Sequence, residues 1–388
     1  MTRALRGFAD GLVSVLLAGY LTRLGFTPFE VGAIVTGTLL GSAAVTIAVG
    51  LAGQGIARRH VLFVAALLMV ATGVGFAGLS RFWPLLLVAV VGTLNPTAGD
   101  VSVFLPVEQA VLAETVRGAD RTAVFAWYNV VGTLAGGLGA LASGVPEASA
   151  RLTGVDPLAA ERGGFLFYAV VAVVVAVLYR RLSPSIERPA TAGQAPLARS
   201  RRVVLRLAAL FSLDSFGGGF VVQSLVVLWL YRRFQLAAPT AGAIFFGAGM
   251  VGALSQFLSG RLAARIGHVR TMVYTHLPAN LFLVLAGVVP SAPLAVTFLL
   301  LRASLSQMDV PARQAYVMAL VPPEERMAAS TITNVPRSLA AAVPPLLAGM
   351  LLDRSSFGWP LVVGGVLKAL YDVLLLVQFR TLCPPTEP

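Results

Sequence analysis

Twelve apolar segments, at about 8–22, 30–50, 61–79, 84–115, 121–143, 163–179, 203–231, 240–260, 271–290, 293–320, 327–352 and 360–379, follow one another with short polar connections. A run of about 20 apolar residues is long enough to cross hydrocarbon as a helix. In hydrocarbon a segment must satisfy its own backbone hydrogen bonds, so the segments read as helices rather than as strands of an open sheet. The expected class is therefore an all-α integral membrane protein with twelve transmembrane helices. Twelve spans take up roughly 240 residues, so the 388-residue chain has room for short loops but not for a large extra domain. The segments 84–115, 203–231 and 293–320 run long, and the expectation for them is tilt or extension beyond the bilayer.

Composition excludes a soluble enzyme: 57% of residues are apolar and only 12% charged, about half the charged share of a soluble domain. The formal charge of +12 comes from 28 arginines and Lys368 against 17 acids. With the N-terminus placed in the cytoplasm, about seventeen of these basic residues fall in cytoplasmic segments and about seven outside, the positive-inside bias. The charge thus reports topology. No basic stretch is interleaved with aromatic residues, so no nucleic-acid partner is expected. Arg3 and Arg6 precede an apolar run as in a signal peptide, but Asp10 interrupts it, and the segment reads as a retained first span. Cys383 is the single cysteine, so no intrachain disulfide is possible.

The one long polar stretch, 180–202, is rich in Pro, Ala and Arg and reads as a cytoplasmic linker. It divides the chain into a six-helix half at 1–182, a linker at 183–202 and a second half at 203–388. The halves repeat. Gly32, Ala33 and Ile34 recur as Gly242, Ala243 and Ile244, and Gly50 as Gly260, at an offset of 210. The run Pro106 to Ala110 recurs as Pro311 to Ala315 at an offset of 205, where Arg121 also matches Arg326, Asn129 matches Asn334 and Gly144 matches Gly349. Two pseudo-symmetric six-helix halves joined on the cytoplasmic side describe a secondary transporter with its site at the repeat interface.

After the eighth segment, Gly260-Arg261-Leu262-Ala263-Ala264-Arg265-Ile266-Gly267 resembles the Gly-x-Leu-Ala-Asp-Arg-x-Gly loop of the major facilitator superfamily. Ala264 stands where that family usually has Asp, and the first-half copy, from Gly50 to Arg59, also lacks the Asp. The glycines of segment five, Gly132, Gly136, Gly137 and Gly139, faintly resemble the family's antiporter motif without its Gly-Pro. The resemblance extends over essentially the whole chain. It implies that spans one, four, seven and ten line a central cavity.

A charge inside a span is costly, so each is a functional candidate with a partner to be named. Asp10 lies in span one, Asp100 and Glu108 in span four, Asp214 in span seven, and Arg302, Asp309 and Arg313 in span ten. Asp100, Glu108, Arg302, Asp309 and Arg313 are the expected substrate and coupling residues. Glu108 and Arg313 share a repeat position with opposite charge, which suggests a gating pair, or else a static ion pair. Asp309 precedes Arg313 by four and can pair with it along one helix face. Asp10 and Asp214 are read as carboxylates complementing a helix N-terminus, Lys368 and Asp372 as a mutually neutralised pair, and Arg337 as a partner of Asp214. Asn129 and Asn334 are read as helix-to-helix glue. The prolines at 96, 311, 336, 344 and 345 should bend their helices.

No metal site is expected of His60, His268 and His276, since none has a second ligand at suitable spacing. There is no Walker loop, His-Glu-x-x-His pair or Gly-x-Ser-x-Gly elbow, so no catalytic residue and no cofactor is expected. The expected function is movement of a small solute, anionic, zwitterionic or amphipathic, by alternating access. Proton-linked export is preferred by resemblance, in a bacterial inner (cytoplasmic) membrane with both termini in the cytoplasm. The rival reading is a non-transporting receptor or scaffold that retains the fold.

Overall fold

The structure is a computed structural model that describes residues 1–52, 57–97, 103–115, 121–183, 187 and 198–380. Its elements are helical throughout: α1 (Thr2–Arg23), α2 (Pro28–Ala52), α3 (Arg58–Gly78), α4 (Phe82–Val91), α5 (Phe104–Thr115), α6 (Arg121–Ala142), α7 (Val145–Thr153), α8 (Pro157–Arg180), α9 (Arg201–Gly219), α10 (Gln223–Phe234), α11 (Ala238–Ile266), α12 (His268–Val288), α13 (Ala292–Ser306), α14 (Asp309–Leu320), α15 (Arg326–Ala342), α16 (Pro344–Arg354) and α17 (Trp359–Phe379), with a 3₁₀ turn at Pro323–Glu325. Among the described residues nine segments are long and apolar enough to cross a membrane. The other expected spans correspond to α4 with α5, α6, and α13 with α14.

The three long segments are not single tilted helices, as expected, but pairs of helices. Span four breaks between α4 and α5, where Pro96 follows Asn95, whose side-chain oxygen accepts from the Thr97 amide at 3.1 Å. Span seven breaks after Gly219, and span ten at Gln307 and Met308, just before Pro311 in the first turn of α14. Span eleven breaks at Val343, before Pro344 and Pro345, while Pro336 stays inside α15. Proline lacks the amide that would continue a helix, and early in a helix that lack costs nothing.

The chain forms two compact units, residues 1–190 with 222–246, and 191–221 with 247–388. In the first, α1 packs on α6 and α8, α3 on α8, α2 on α4, and α10 on α1 and α2. The α10 segment is tied in by the Ser224 amide, which donates to the Pro96 carbonyl at 3.3 Å. The α1 and α6 backbones touch through glycine: a Cβ on Gly11 would overlap the Gly136 carbonyl, and one on Gly139 the Phe8 carbonyl. In the second unit, α12 packs on α17 and α13, and α9 on α15 and α17. Its interior gathers Val204, Phe211, Met272, Tyr316, Tyr371 and Phe379.

The helix surfaces are apolar outward. On α8, Phe167, Val170, Val173, Val174 and Val177 are exposed at helical spacing while Tyr168, Ala172, Val175 and Tyr179 are buried. A stripe of large aliphatic side chains facing outward is stable against lipid and not against water.

Carboxylates secure several helix starts. Thr27 and Glu30 form a capping box at α2, the Thr27 amide donating to Glu30 at 2.8 Å and the Glu30 amide to Thr27 Oγ1 at 3.2 Å. Asp156 accepts from the Ala159 amide at the start of α8. The amides of Arg58 and Arg59 donate to Glu187 at 2.8 and 2.9 Å. Glu325 accepts from the amides of Ala198, Arg199 and Ser200 at the entry to α9, satisfying donors that a helix start leaves unpaired.

Candidate functional site

Each unit buries a charged cluster of its own. In the first, Glu108 on α5 accepts from Arg6 and Tyr128, from Tyr179 at 2.5 Å and from Thr2 at 3.0 Å. Arg6 is 1% exposed, and its guanidinium lies over the Phe104 ring at 4.3 Å, one turn before Glu108. Tyr179 stacks on the same ring at 5.9 Å. Four donors on one carboxylate and an aromatic face on the cation satisfy the pair well enough to lie among helices.

In the second unit the centre is Asp214 on α9. Its Oδ1 accepts from Lys368 of α17 at 2.5 Å, and its Oδ2 from Arg313 of α14 at 3.3 Å. Arg313 also donates to Asp309 at 3.3 Å. His276 of α12 places Nε2 at 3.7 Å from Asp214 Oδ1 and Nδ1 at 2.9 Å from Asp372 Oδ1. Asn280 donates to Asp372 Oδ2 at 2.8 Å. Both ring nitrogens of His276 thus face a carboxylate, and Asn280 Nδ2 lies 3.1 Å from Nδ1. Arg337 of α15 donates to Ser215 at 3.0 Å and to Asn334 at 3.3 Å. A cavity of about 160 Å³ opens among these groups, lined by Asp214, His276, Arg302, Asp309, Arg313, Arg337 and Lys368 with Ser306 and Gln307.

In each cluster a charge of the first span pairs with an opposite charge of the fourth, and the signs are exchanged between units: Arg6 with Glu108 in the first, Asp214 with Arg313 in the second. The aromatic partner follows the carboxylate: Arg313 lies over the ring of Phe211 at 5.5 Å, three residues before Asp214. The repeat position of Arg337 is Gly132, and a Cβ there would run into the guanidinium of Arg3. Both units therefore set an arginine head at that position, from different helices.

The Major Facilitator Superfamily profile matches residues 1–301 and 208–388. The chain belongs to the major facilitator superfamily. Relatives of this superfamily member include the "Uncharacterized membrane protein YJR124C" of Saccharomyces cerevisiae, 25% identical over 410 residues, covering 97% of this chain and 92% of that one. The "Multidrug efflux protein YfmO" of Bacillus subtilis is 24% identical over 381 residues, covering 95% and 88%. A solved structure of a D-xylose-proton symporter shares the superfamily fold with a TM-score of 0.75 at 14% identity, covering 96% of this chain and 95% of that one. Membership makes the protein one of a family of membrane transporters and not an enzyme. The superfamily's loop signature has a physical basis here, since Gly267 turns the chain from α11 into α12 with φ +84°, a conformation strained for any residue with a Cβ.

The structure places Arg302, Asp309 and Arg313 around one cavity and pairs Asp309 with Arg313 as the four-residue spacing implies. Glu108 lies in the other unit's cluster, and Glu108 and Arg313 each have their partners inside their own unit. Asp100 lies outside the described residues. Several partners differ from expectation. Asp10 is nine residues into α1 and Asp214 fourteen into α9, too deep to complement a helix N-terminus, whose field fades within a turn. Lys368 does not neutralise Asp372, because α17 lies against both α9 and α12: Lys368 reaches Asp214 and Asp372 reaches His276. Arg337 bonds Ser215 and not its neighbour Asp214. Asn334 bonds Ser330 and Arg337 along its own helix, while the backbone carbonyl of Asn129 accepts from the Thr133 hydroxyl one turn on.

Sequence reasoning missed Arg6, Tyr128, Tyr179, His276 and Asn280. Arg6 was legible as a residue one turn before Asp10 on the same face. His276 and Asn280 share a face of α12 around Pro278, a polar pair inside an otherwise apolar span. Among the described residues no group of three or more His, Cys, Asp or Glu is arranged to hold a metal.

Proposed function

We propose that the protein is a secondary active transporter that moves a small solute by alternating access, linked to protons and directed outward. The observation that carries this reading is the cavity within the second unit, where Arg302, Asp309 and Arg313 meet Asp214, His276 and Lys368 inside a membrane-embedded helix bundle. Charged groups are kept at such depth for a solute or ion path. The break between α13 and α14, at Gln307 and Met308, sets non-helical backbone beside this cavity, as transporter sites commonly do. The name of the Bacillus subtilis relative supports export, and that of the D-xylose symporter supports proton coupling.

In this reading Asp100, Glu108 and Asp309 are the candidates for the proton-coupling group, and Arg302 and Arg313 contact the solute. Asp10, Asp214, Asn129, Asn334 and Arg337 position them or adjust between states. The protein resides in a cytoplasmic membrane with its termini and the 183–202 linker on the cytoplasmic side. The test is flux in proteoliposomes under an imposed pH gradient, followed with ethidium and benzenesulfonate as probes. Gradient-dependent movement of a probe is expected, and a scaffold that retained the fold would move neither at any gradient.

A further inference from the structure

The cavity of the second unit carries more fixed positive charge than its own carboxylates neutralise. Four cations line it, Arg302, Arg313, Arg337 and Lys368, against two carboxylates, Asp214 and Asp309. Both carboxylates are already engaged: Asp214 by Lys368 and Arg313, and Asp309 by Arg313. A third, Asp372, is taken by His276 and Asn280. Arg302 has no carboxylate within ion-pair distance among the described residues, and its Nε is buried there without a hydrogen-bond partner. Among the described residues Arg337 has only the neutral oxygens of Ser215 and Asn334. Two guanidinium groups, one from α13 just before its break and one from α15, thus line one cavity with unused donors.

We propose that this cavity is the binding site for an organic anion, with Arg302 and Arg337 as the groups that recognise it. The inference rests on the transporter reading for its physiological meaning and names the solute class. A guanidinium presents parallel N–H donors that match two oxygens on one centre, so the recognised group is a carboxylate, sulfonate or phosphonate and not a halide or an amine. The volume of about 160 Å³ sets the size, since a cavity near 150 Å³ is enough for a benzene-sized body. Arg313 borders the solute but is held by Asp214 and Asp309, and Lys368 is held by Asp214, so recognition falls to Arg302 and to Arg337, which here does more than position the others. Ser306 and Gln307, at the break between α13 and α14, supply neutral polar groups beside the anion.

The test uses one ring with three charges: benzenesulfonate, benzamide and benzyltrimethylammonium. Thermal unfolding of the purified full-length protein should shift upward with benzenesulfonate and not with the other two. Arg302→Gln and Arg337→Gln should each weaken that response at least tenfold, whereas Arg354→Gln at the exposed end of α16 should leave it unchanged. Arg302 and Arg337 are half-buried and have no carboxylate partner among the described residues, so their removal should not lower the stability of the ligand-free protein, and both variants remain measurable. Arg302→Lys and Arg337→Lys keep the charge and lose the fork, and should retain anion preference at reduced affinity. Equal stabilisation by benzamide or benzyltrimethylammonium, or unaltered benzenesulfonate binding in both glutamine variants, would overturn the inference. Proteoliposome flux separates it from the transport reading. Binding of benzenesulfonate without flux of any probe upholds the site and removes transport; flux of the cationic probe without anion binding does the reverse.

Discussion

Asp214 holds two cations at once, and this makes it the most consequential single side chain of the second unit. Asp214→Asn leaves Lys368 without a carboxylate and Arg313 with Asp309 alone. Breaking a buried pair by removing one partner costs about 3–5 kcal/mol, so this variant should unfold well below the parent protein. Asp309→Asn should cost less, because Arg313 keeps Asp214. Thermal unfolding of the two in the same detergent checks the order, and equal losses would contradict the assigned geometry. A different carboxylate governs the entry to α9. The amides of Arg199, Ser200 and Ala198 hold the Glu325 carboxyl below the ordinary glutamate range. A depressed folded value stabilises above the unfolded value of about 4.3 and loses that contribution as pH falls through the lowered one. Protection of the 198–200 amides, taken as exchange relative to the intrinsic rate at each pH, should therefore be high at pH 7 and fall below about pH 4. In Glu325→Gln it should be low throughout, with no acid transition. Such pairings divide into those readable in advance and those not. Asp309 and Arg313 are four apart on one helix and were legible. Lys368 with Asp214 joins residues 154 apart, and only the packing of α17 between two helices decides which neighbour Lys368 meets.

At the scale of elements, the apolar runs were enough to place the helices but not their interruptions. Apolar composition continues through the break at Phe220, Val221 and Val222, so hydropathy registers extra length where the backbone in fact leaves the helix. The glycines of α6 are a second case: the motif resemblance assigned them no role, and the structure sets Gly132, Gly136 and Gly139 against α1 and Gly137 against Phe246 of α11. In a bilayer, helices associate through close packing and not through expulsion of water, which makes small residues at the seam decisive. Gly11→Val and Gly139→Val should each abolish recovery of folded protein in detergent, because the added carbons collide with a carbonyl of the facing helix. Gly163→Ala, at an α8 position where a Cβ meets nothing within 4 Å, should be neutral or stabilise by about 0.5–1 kcal/mol. Size-exclusion profiles and unfolding temperatures of the three variants make the comparison.

For the molecule as a whole, the orientation predicted from the arginine distribution can be read directly. With Cys383 replaced by Ser, a cysteine at Leu152 in the exposed part of α7 should react with an impermeant maleimide from outside intact cells. One at Arg181, at the end of α8, should react only after the membrane is opened. Reaction of Arg181→Cys in intact cells would invert the topology. Coupling is tested at the same scale: if Glu108 or Asp309 carries the transported proton, Glu108→Gln or Asp309→Asn should exchange solute across the membrane without concentrating it, as measured in proteoliposomes with and without a pH gradient.

The unmatched guanidinium groups of the second unit have an electrical consequence. A resting potential, negative inside, acts on each charge that crosses the full field with about 2.3 kcal/mol per 100 mV. A carrier whose empty cavity bears surplus positive charge therefore feels the membrane voltage most when it returns unloaded. An anion seated between Arg302 and Arg337 neutralises part of that surplus. In a carrier of the kind proposed, voltage would then bias the empty and loaded halves of the cycle unequally, and the cell's own potential would set the rate alongside any gradient of protons or solute.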